Sequence, residues 1–248
     1  MILGDIYTIW LREMIRFVRA KSRIVSSLAL PFFWLAFIGV GFGSTVKLPS
    51  ISYIDFLAPG ILGMIILFTS IFSGLSILFD RQFGFMKEIL VAPVSRTSIM
   101  LGKTLGGATI ALINALLMLV IASAIGVIKI GPGIFTAIIF MILTAICFVS
   151  VGMIIASKMK SMEGFQMIMS FLIMPVFFLS GALFPLQNTP GWMQTISYFD
   201  PLTYGVDGLR DSLIGNGMFP LWMNLSVLVG FSAVLIILGS YFFSKMSV

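Results

Sequence analysis

Few residues in this chain could carry out chemistry, and their types and spacing exclude most reactions. The 248 residues include no histidine and a single cysteine, Cys147, which lies inside an apolar segment. Ser-His and Cys-His nucleophilic pairs are therefore impossible, and zinc lacks its usual ligands. Residues 102–104 (Gly-Lys-Thr) match the end of a phosphate-binding loop, but that loop requires glycine where this chain has Thr97, and no strand precedes it. We expect no catalytic residue, no metal site and no cofactor bound by this chain, which we interpret as a non-enzyme.

The elements that carry these residues are long and apolar. Hydrophobic residues make up 59% of the chain and charged residues 10%, and runs of about 20 uncharged residues can cross about 30 Å of hydrocarbon. The pattern predicts an all-α integral membrane protein with six transmembrane helices, at Ile24–Gly43, Phe56–Phe79, Ile99–Ile125, Ile134–Ala156, Phe165–Phe184 and Leu221–Phe243. So drawn, the spans hold no Asp, Glu, Lys or Arg, apart from Asp55 and Lys103 at their edges. Ion-coupled carriers generally need such groups at membrane depth.

The basic residues indicate the orientation, because Lys and Arg near short loops resist translocation. With the N terminus inside, the cytoplasmic basic residues are Arg12, Arg16, Arg19, Lys21, Arg23, Arg81, Lys87, Arg96, Lys103, Lys158, Lys160 and Lys245. Only Lys47, Lys129 and Arg210 remain outside. We expect a multi-pass protein of the cytoplasmic membrane with both termini cytoplasmic. Anionic membrane lipid, rather than nucleic acid, accounts for the net charge of +6, and we expect Lys103 to reach inner-leaflet phosphates.

Residues 1–23 form a separate unit with two faces. Arg12, Arg16, Arg19 and Arg23 recur on one side of a helix, and Leu3, Tyr7, Trp10, Met14 and Phe17 recur on the other. This pattern is typical of a helix lying flat in the membrane interface, and a helix packed on another soluble protein is the alternative. Two glycine pairs, 102 with 106 and 39 with 43, would allow close helix contacts within the chain or at a dimer face.

The external segment 185–220 is too apolar for a free loop and too interrupted for a span. Thr189-Pro190 and Asp200-Pro201 each predict an N-cap followed by proline at the first helical position. Gly215 predicts a helix end. We expect a short extracytoplasmic re-entrant segment of two helices that dips into the outer leaflet.

Residues 80–96 (Asp-Arg-Gln-Phe-Gly-Phe-Met-Lys-Glu-Ile-Leu-Val-Ala-Pro-Val-Ser-Arg) form a polar loop between two apolar spans. The charges, Gly84 and Pro93 exclude a span. Phe83, Met86, Ile89 and Leu90 fall on one side of a short helix. The segment therefore has the form of a docking helix for a cytoplasmic partner.

Two motifs resemble the ABC-2-type permeases of ATP-binding-cassette exporters, particularly the daunorubicin-resistance-like branch. The first is segment 80–96 followed by Leu101-Gly102-Lys103, which is similar to that family's coupling-helix loop. The second runs from 178–185 (Phe-Leu-Ser-Gly-Ala-Leu-Phe-Pro) through 190–192 (Pro-Gly-Trp) to 201–210 (Pro-Leu-Thr-Tyr-Gly-Val-Asp-Gly-Leu-Arg). One departure is Asp200, where the family more often has asparagine. The resemblance covers essentially all of residues 1–248 as a single transmembrane domain.

The resemblance implies a permease subunit that pairs with a second copy, as a homodimer, and rests its coupling helix on a separate ABC ATPase subunit. ATP and magnesium would bind that partner. The implied coupling residues are Phe83, Gly84, Phe85, Met86, Glu88, Ile89, Leu90 and Pro93, with Gly84 permitting the turn into the helix and Pro93 ending it. The residues expected at an extracytoplasmic gate are Gly181, Pro185, Trp192, Pro201, Tyr204 and Arg210.

The substrate expectation rests on the spans, which are uncharged and rich in Phe and Met. Such spans suit efflux of an apolar or amphipathic molecule such as a drug, a lipid or a glycoconjugate. Two alternatives stay open at this point. One is a passive channel or ion-coupled carrier, and the other is a non-transporting membrane scaffold.

Overall fold

The computed structural model describes residues 2–43, 51–85, 88, 94–159 and 161–245. Helix makes up 84% of the structure, and these ranges contain no strand. Among the described residues, six helices are long and apolar enough to cross a membrane, and we name them spans 1 to 6: Ile24–Gly43, Tyr53–Gln82, Arg96–Ala124, Ile134–Lys158, Met162–Leu179 and Leu221–Ser244. The prediction of an all-α membrane protein with six spans is confirmed. Spans 2 and 3 extend further than predicted towards the 80–96 loop.

The core of the bundle is formed by spans 2, 3 and 4, which pack against one another. In the most apolar stretch of span 2, 67% of residues are buried, compared with 17% in span 1, 22% in span 5 and 17% in span 6. Span 6 packs on spans 3 and 4, and spans 1 and 5 lie at the periphery. The peripheral spans therefore present most of their apolar surface outward.

Glycines set the close approach of the central helices. A side chain at Gly74 would collide with the backbone of Gly152, and one at Gly152 would collide with the backbone of Ile71. Small residues allow helix backbones to meet directly in a membrane bundle. Span 2 consists of helices Tyr53–Ser73 and Leu75–Gln82 joined at Gly74, so this contact fixes span 2 against span 4 where its two parts join.

The N-terminal helix, Ile2–Arg19, packs along span 3. A Cβ at Gly102 would lie 2.8 Å from Ile9 Cβ, and one at Gly106 would lie 2.9 Å from Glu13 Cβ, so this glycine pair serves packing within the chain. Trp10 Nε1 donates a hydrogen bond of 3.1 Å to Thr109 Oγ1. The predicted unit 1–23 is too long, because the next helix, Lys21–Phe33, begins after a break at Ala20. It continues through a π-helical segment, Trp34–Ile38, into Gly39–Gly43.

Two short helices, Gly191–Ser197 and Pro201–Ile214, follow span 5 after a 3₁₀ turn at Leu186–Asn188. The second has the predicted ends: Asp200 Oδ1 accepts a hydrogen bond of 2.9 Å from the Leu202 amide, and Gly215 has φ +66°. The predicted Thr189 cap is wrong, because Thr189 Oγ1 donates instead to the Leu186 carbonyl, at 2.7 Å. The helix Pro201–Ile214 packs against spans 2, 4 and 6. Insertion of this segment into the outer leaflet stays a prediction.

Candidate functional site

Five charged residues meet where spans 2 and 3 approach the 80–96 loop, and we call them the charged cluster: Arg12, Glu13, Arg16, Asp80 and Lys103. Lys103 Nζ lies 2.6 Å from Asp80 Oδ2 and 3.3 Å from Glu13 Oε1. Arg12 Nη2 lies 2.8 Å from Asp80 Oδ1. Arg16 is more distant, at 3.6 Å from Asp80 and 3.8 Å from Glu13. The cluster thus ties the N-terminal helix to both spans.

The expectation that Lys103 extends to lipid phosphates is wrong. Lys103 is 1% exposed and so is Asp80. The N-terminal helix covers span 3 at Gly102 and Gly106, and it brings Glu13 over Lys103. Span 2 remains helical to Gln82, which places Asp80 inside the bundle instead of in the loop. The spans therefore hold a buried ion pair that was not expected, because the predicted second span ended at Phe79, one residue before Asp80.

The cluster is satisfied by hydrogen bonds as well as by charge. A lysine ammonium has three donors, and Lys103 directs them at Asp80, Glu13 and the Ser76 hydroxyl, the last at 3.1 Å. Buried charges lose hydration, and this cost is offset only when each charge has close partners. The arrangement is suited to holding three helices in fixed register, and its three cations and two carboxylates leave a net charge of +1.

The loop begins directly beside the cluster. Phe83 is 67% exposed and Phe85 is 49% exposed, while the Arg12 guanidinium lies 5.9 Å from the centre of the Phe85 ring. Gly84 between them has φ +79°, a conformation that glycine adopts without strain. Glu88 is exposed. Of the expected coupling residues, Met86, Ile89, Leu90 and Pro93 lie outside the described residues.

A cavity of about 560 Å³ opens between the loop and the cluster. Its walls include Phe83, Phe85, Glu88 and Val94 from the loop, Ile99 from span 3, and the cluster residues Asp80 and Lys103. Exposed aromatic rings beside a concave, partly charged surface are characteristic of a docking site for another protein. The described coupling residues are therefore brought together on one surface.

At the other end of span 2, the structure brings together only some of the expected gate residues. Gly181, Pro185 and Arg210 line one cavity, and Arg210, expected on the external side, is buried. Tyr204 donates a hydrogen bond of 2.8 Å to the Tyr198 carbonyl. Trp192 is exposed, and Pro201 is the first residue of its helix, as predicted. Neither residue lines this cavity.

Sequence reasoning missed Glu13 and Asp207. Glu13 lies three residues before Arg16 on the N-terminal helix. It was overlooked because the orientation argument counted only basic residues. Asp207 accepts hydrogen bonds from the Met218 and Phe219 amides at 2.7 and 3.0 Å and from Asn224 Nδ2 at 2.8 Å. The signal in the sequence was the position of Asp207 within the largely apolar run 202–209, because a carboxylate is rarely buried without a polar partner. Within the described ranges, no cluster of His, Cys, Asp and Glu could hold a metal ion.

Residues 4–214 match the sequence model of the family described as ABC-2 type transporter. The chain belongs to the ABC-2 type transporter family. It is 30% identical over 220 residues to the putative transport permease ycf38 of Pyropia yezoensis, covering 84% of this chain and 74% of that protein. It is 27% identical to nodulation protein J of Rhizobium meliloti (91% and 87% covered) and 26% identical to the inner membrane transport permease YadH of Escherichia coli K12 (90% and 88% covered).

This ABC-2 type transporter is therefore a multi-pass membrane permease of an ATP-binding-cassette transporter. Both motifs that carried the resemblance lie within the matched residues. Membership of the daunorubicin-resistance-like branch stays a prediction.

Proposed function

We propose that this permease is the transmembrane subunit of an ATP-driven exporter in the cytoplasmic membrane, powered by a separate ATPase subunit that binds ATP and magnesium. The observation that carries this proposal is the pair of exposed rings, Phe83 and Phe85, beside the buried charged cluster. A soluble partner needs an exposed surface to bind. It also needs a rigid connection to the spans if its movement is to reach them.

The charged cluster supplies that connection. Arg12 contacts both the Phe85 ring and Asp80, and Asp80 contacts Lys103 on span 3. A displacement of the loop would therefore be transmitted to the N-terminal helix and to spans 2 and 3 together. Packed helices held by buried ion pairs move as units, because deforming them would leave charges without partners.

The proposed substrate is an apolar or amphipathic molecule, such as a drug, a lipid or a glycoconjugate. A cavity of about 570 Å³ lies between spans 1, 2, 3 and 5 and is lined by apolar groups that include Met64, Phe68 and Phe72. Asn114 also lines it, and the buried Asn114 Oδ1 accepts no hydrogen bond from the described residues. Apolar walls with few polar groups suit a molecule of mixed polarity.

Pairing with a second permease copy is part of the proposal. Spans 1 and 5 lie at the periphery and present exposed aromatic side chains, among them Phe37 and Phe171. A homodimer through these faces would enclose the cavity between spans 1 and 5. The proposed orientation places both termini and the coupling loop in the cytoplasm, where the ATPase is.

The test replaces Phe83 and Phe85 with serine in one double variant. Each lost anchor should weaken docking by about 1 to 3 kcal/mol, so co-purification of the ATPase should fall by at least about 30-fold, since about 1.4 kcal/mol corresponds to tenfold. The exposure of both rings means that folding should be retained. Phe199→Ser is the matched control, because Phe199 is 76% exposed and lies outside the loop.

Export should fall together with ATPase binding in the double variant and persist in the control, at equal membrane levels. Normal ATPase binding and export by the double variant would refute the docking surface. Transport by this chain alone in liposomes would instead favour a channel or carrier. A bound ATPase with no substrate-dependent stimulation would favour a scaffold.

A further inference from the structure

The cavity at the end of the bundle opposite the charged cluster has a volume of about 260 Å³, and we call it the external pocket. Its position is set by span 2, because Phe56, near the first turn of that span, lines the pocket, whereas Asp80 lies in the last turn. The walls also include Gly181, Pro185, Thr203, Asp207, Arg210 and Phe219. The external pocket shares no lining residue with the cavity beside the coupling loop, so a ligand here would be independent of ATPase docking.

Arg210 is the cation that lines this pocket, which Asp207 also lines, and it is 6% exposed. Its Nη2 donates to the Gly181 carbonyl at 2.9 Å and to the Phe56 carbonyl at 3.5 Å, and the guanidinium lies 3.8 Å from the centre of the Phe56 ring. Burial lowers the pKa of Arg210 to about 10, and the negative charge of Asp207 opposes this shift. The group is therefore still cationic at neutral pH.

The hydrogen-bonding capacity of Arg210 is only partly used. Its buried Nε has no hydrogen-bond partner in the described part of the chain, and Nη1 donates to none of the described residues. A guanidinium has five donors in a planar fork that matches the oxygens of phosphate and carboxylate groups. Leaving the buried Nε unpaired is unfavourable, so a bound anion would stabilise this arrangement.

Asp207 does not serve as that anion. It lies on the same helix and lines the same pocket, yet no ion pair within 4.0 Å joins it to Arg210 among the described residues. Its two oxygens already accept hydrogen bonds from the Met218 and Phe219 amides and from Asn224 Nδ2. Asp207 therefore holds the turn after the helix Pro201–Ile214. Its negative charge favours the cationic form of Arg210, but within the described structure it makes no direct contact with the guanidinium, whose free donors still lack an acceptor.

A second buried donor lines the pocket. Thr203 is 1% exposed, and its Oγ1 makes no hydrogen bond in the described structure. Thr203 lies seven residues before Arg210, which is two turns of helix, so both side chains fall on the same helix face. Gly181, with φ +72°, directs its carbonyl at Arg210, and a Cβ there would lie 2.8 Å from Leu186 Cγ. The backbone and side chains of the pocket wall thus hold the Arg210 guanidinium in a fixed position next to a free hydroxyl donor.

We propose that the external pocket binds a phosphate oxyanion, with Arg210 as the charge partner and Thr203 as a neutral donor. A phosphate offers several acceptor oxygens in different directions, which suits donors that come from two separate side chains. The cavity has room for a head group without its acyl chains. The phosphate could therefore be carried by a lipid-like amphiphile or be free in solution, and the experiment separates these sources.

The test uses the full-length protein in detergent with a fluorescent probe attached at Asn188→Cys. Asn188 is exposed at the rim of the pocket, and Cys147 is buried, so labelling is selective. We expect saturable fluorescence changes with sn-glycerol 3-phosphate and with phosphatidylglycerol micelles, and none with glycerol, diacylglycerol or acetate at equal ionic strength. A response to inorganic phosphate of equal affinity would support a site for free phosphate, and a response confined to the lipid would support a head-group site.

Variants locate the binding. Arg210→Gln should weaken it at least tenfold, while Lys129→Gln, which removes an exposed charge outside the pocket, should leave it unchanged. Thr203→Val keeps the shape and Arg210, and it should weaken binding by about threefold or more even if Arg210→Gln fails to fold. The proposal is overturned if no phosphate compound changes the fluorescence, if acetate acts equally, or if binding is unchanged in a folded Arg210→Gln or Thr203→Val variant.

Discussion

Removing single charges from the charged cluster should have unequal effects, which can be worked out from its composition. Asp80→Asn would leave three cations with one carboxylate, raising the net charge from +1 to +2 around the buried Lys103. Lys103→Met would leave two arginines with two carboxylates, a balanced set, and methionine fills a similar volume. The loss of the carboxylate should therefore be more harmful than the loss of the ammonium.

The expected magnitudes follow from burial. Breaking a buried ion pair by removing one partner costs about 3 to 5 kcal/mol, and this applies to Asp80→Asn because Lys103 would keep only one charged partner, Glu13 at 3.3 Å, beside the neutral Ser76 hydroxyl. For Lys103→Met we expect about 1 to 3 kcal/mol, since Asp80 keeps Arg12 at 2.8 Å and Glu13 keeps a more distant Arg16. The double variant should be less destabilised than Asp80→Asn alone, because the neutral pair leaves no buried lysine uncompensated.

The assay is thermal unfolding of the purified variants in detergent, followed by tryptophan fluorescence. Midpoints are compared as a ranking, since a membrane protein of this size need not unfold in two states. Arg19→Gln is the control, because Arg19 is exposed on the same helix and makes no ion pair within the described residues; we expect less than about 0.5 kcal/mol. Equal losses for the two single variants, or additive losses in the double variant, would refute the reasoning.

Two further predictions concern the helices that follow span 5 and the orientation of the chain. Burial raises the pKa of Asp200 from 3.8 to about 7. The folded protein therefore binds the proton more tightly than the unfolded chain does. The free energy of unfolding should fall as the pH rises from about 4 to about 7, by up to about 4 kcal/mol. Asp200→Asn keeps the cap and should lack this contribution, so its melting temperature should change less than that of the wild type between about pH 4 and pH 7. Equal pH dependence of the two proteins over this range would contradict the shift. Cysteines at the exposed positions Gln82 and Asn188 should react with an impermeant reagent from opposite sides of the membrane, the first only from the cytoplasm, and labelling of both from outside would disprove the proposed topology.

The sequence alone determined the features that depend on neighbouring residues. Six runs of apolar residues were enough to place the spans, because the length and hydropathy of one segment decide whether it can cross hydrocarbon. Asp200, Pro201 and Gly215 predicted both ends of the helix Pro201–Ile214, since caps act through local hydrogen bonds and backbone angles. Thr189 failed as a cap, although it has the same local pattern, because its hydroxyl bonds to the carbonyl of Leu186 within the preceding turn.

Only the tertiary structure decided which polar side chains meet. Lys103 joins Asp80 across 23 residues of sequence and Glu13 across 90, and Arg210 reaches Gly181 across 29 and Phe56 across 154. These contacts depend on the rotation and depth of each helix, which are fixed by backbone contacts at glycines such as Gly102 and Gly152. Hydropathy measures the cost of exposing a charge to lipid but contains no information about a partner on another helix. Lys103 was therefore assigned to the membrane surface from its sequence, and the packing of the N-terminal helix placed it inside the protein.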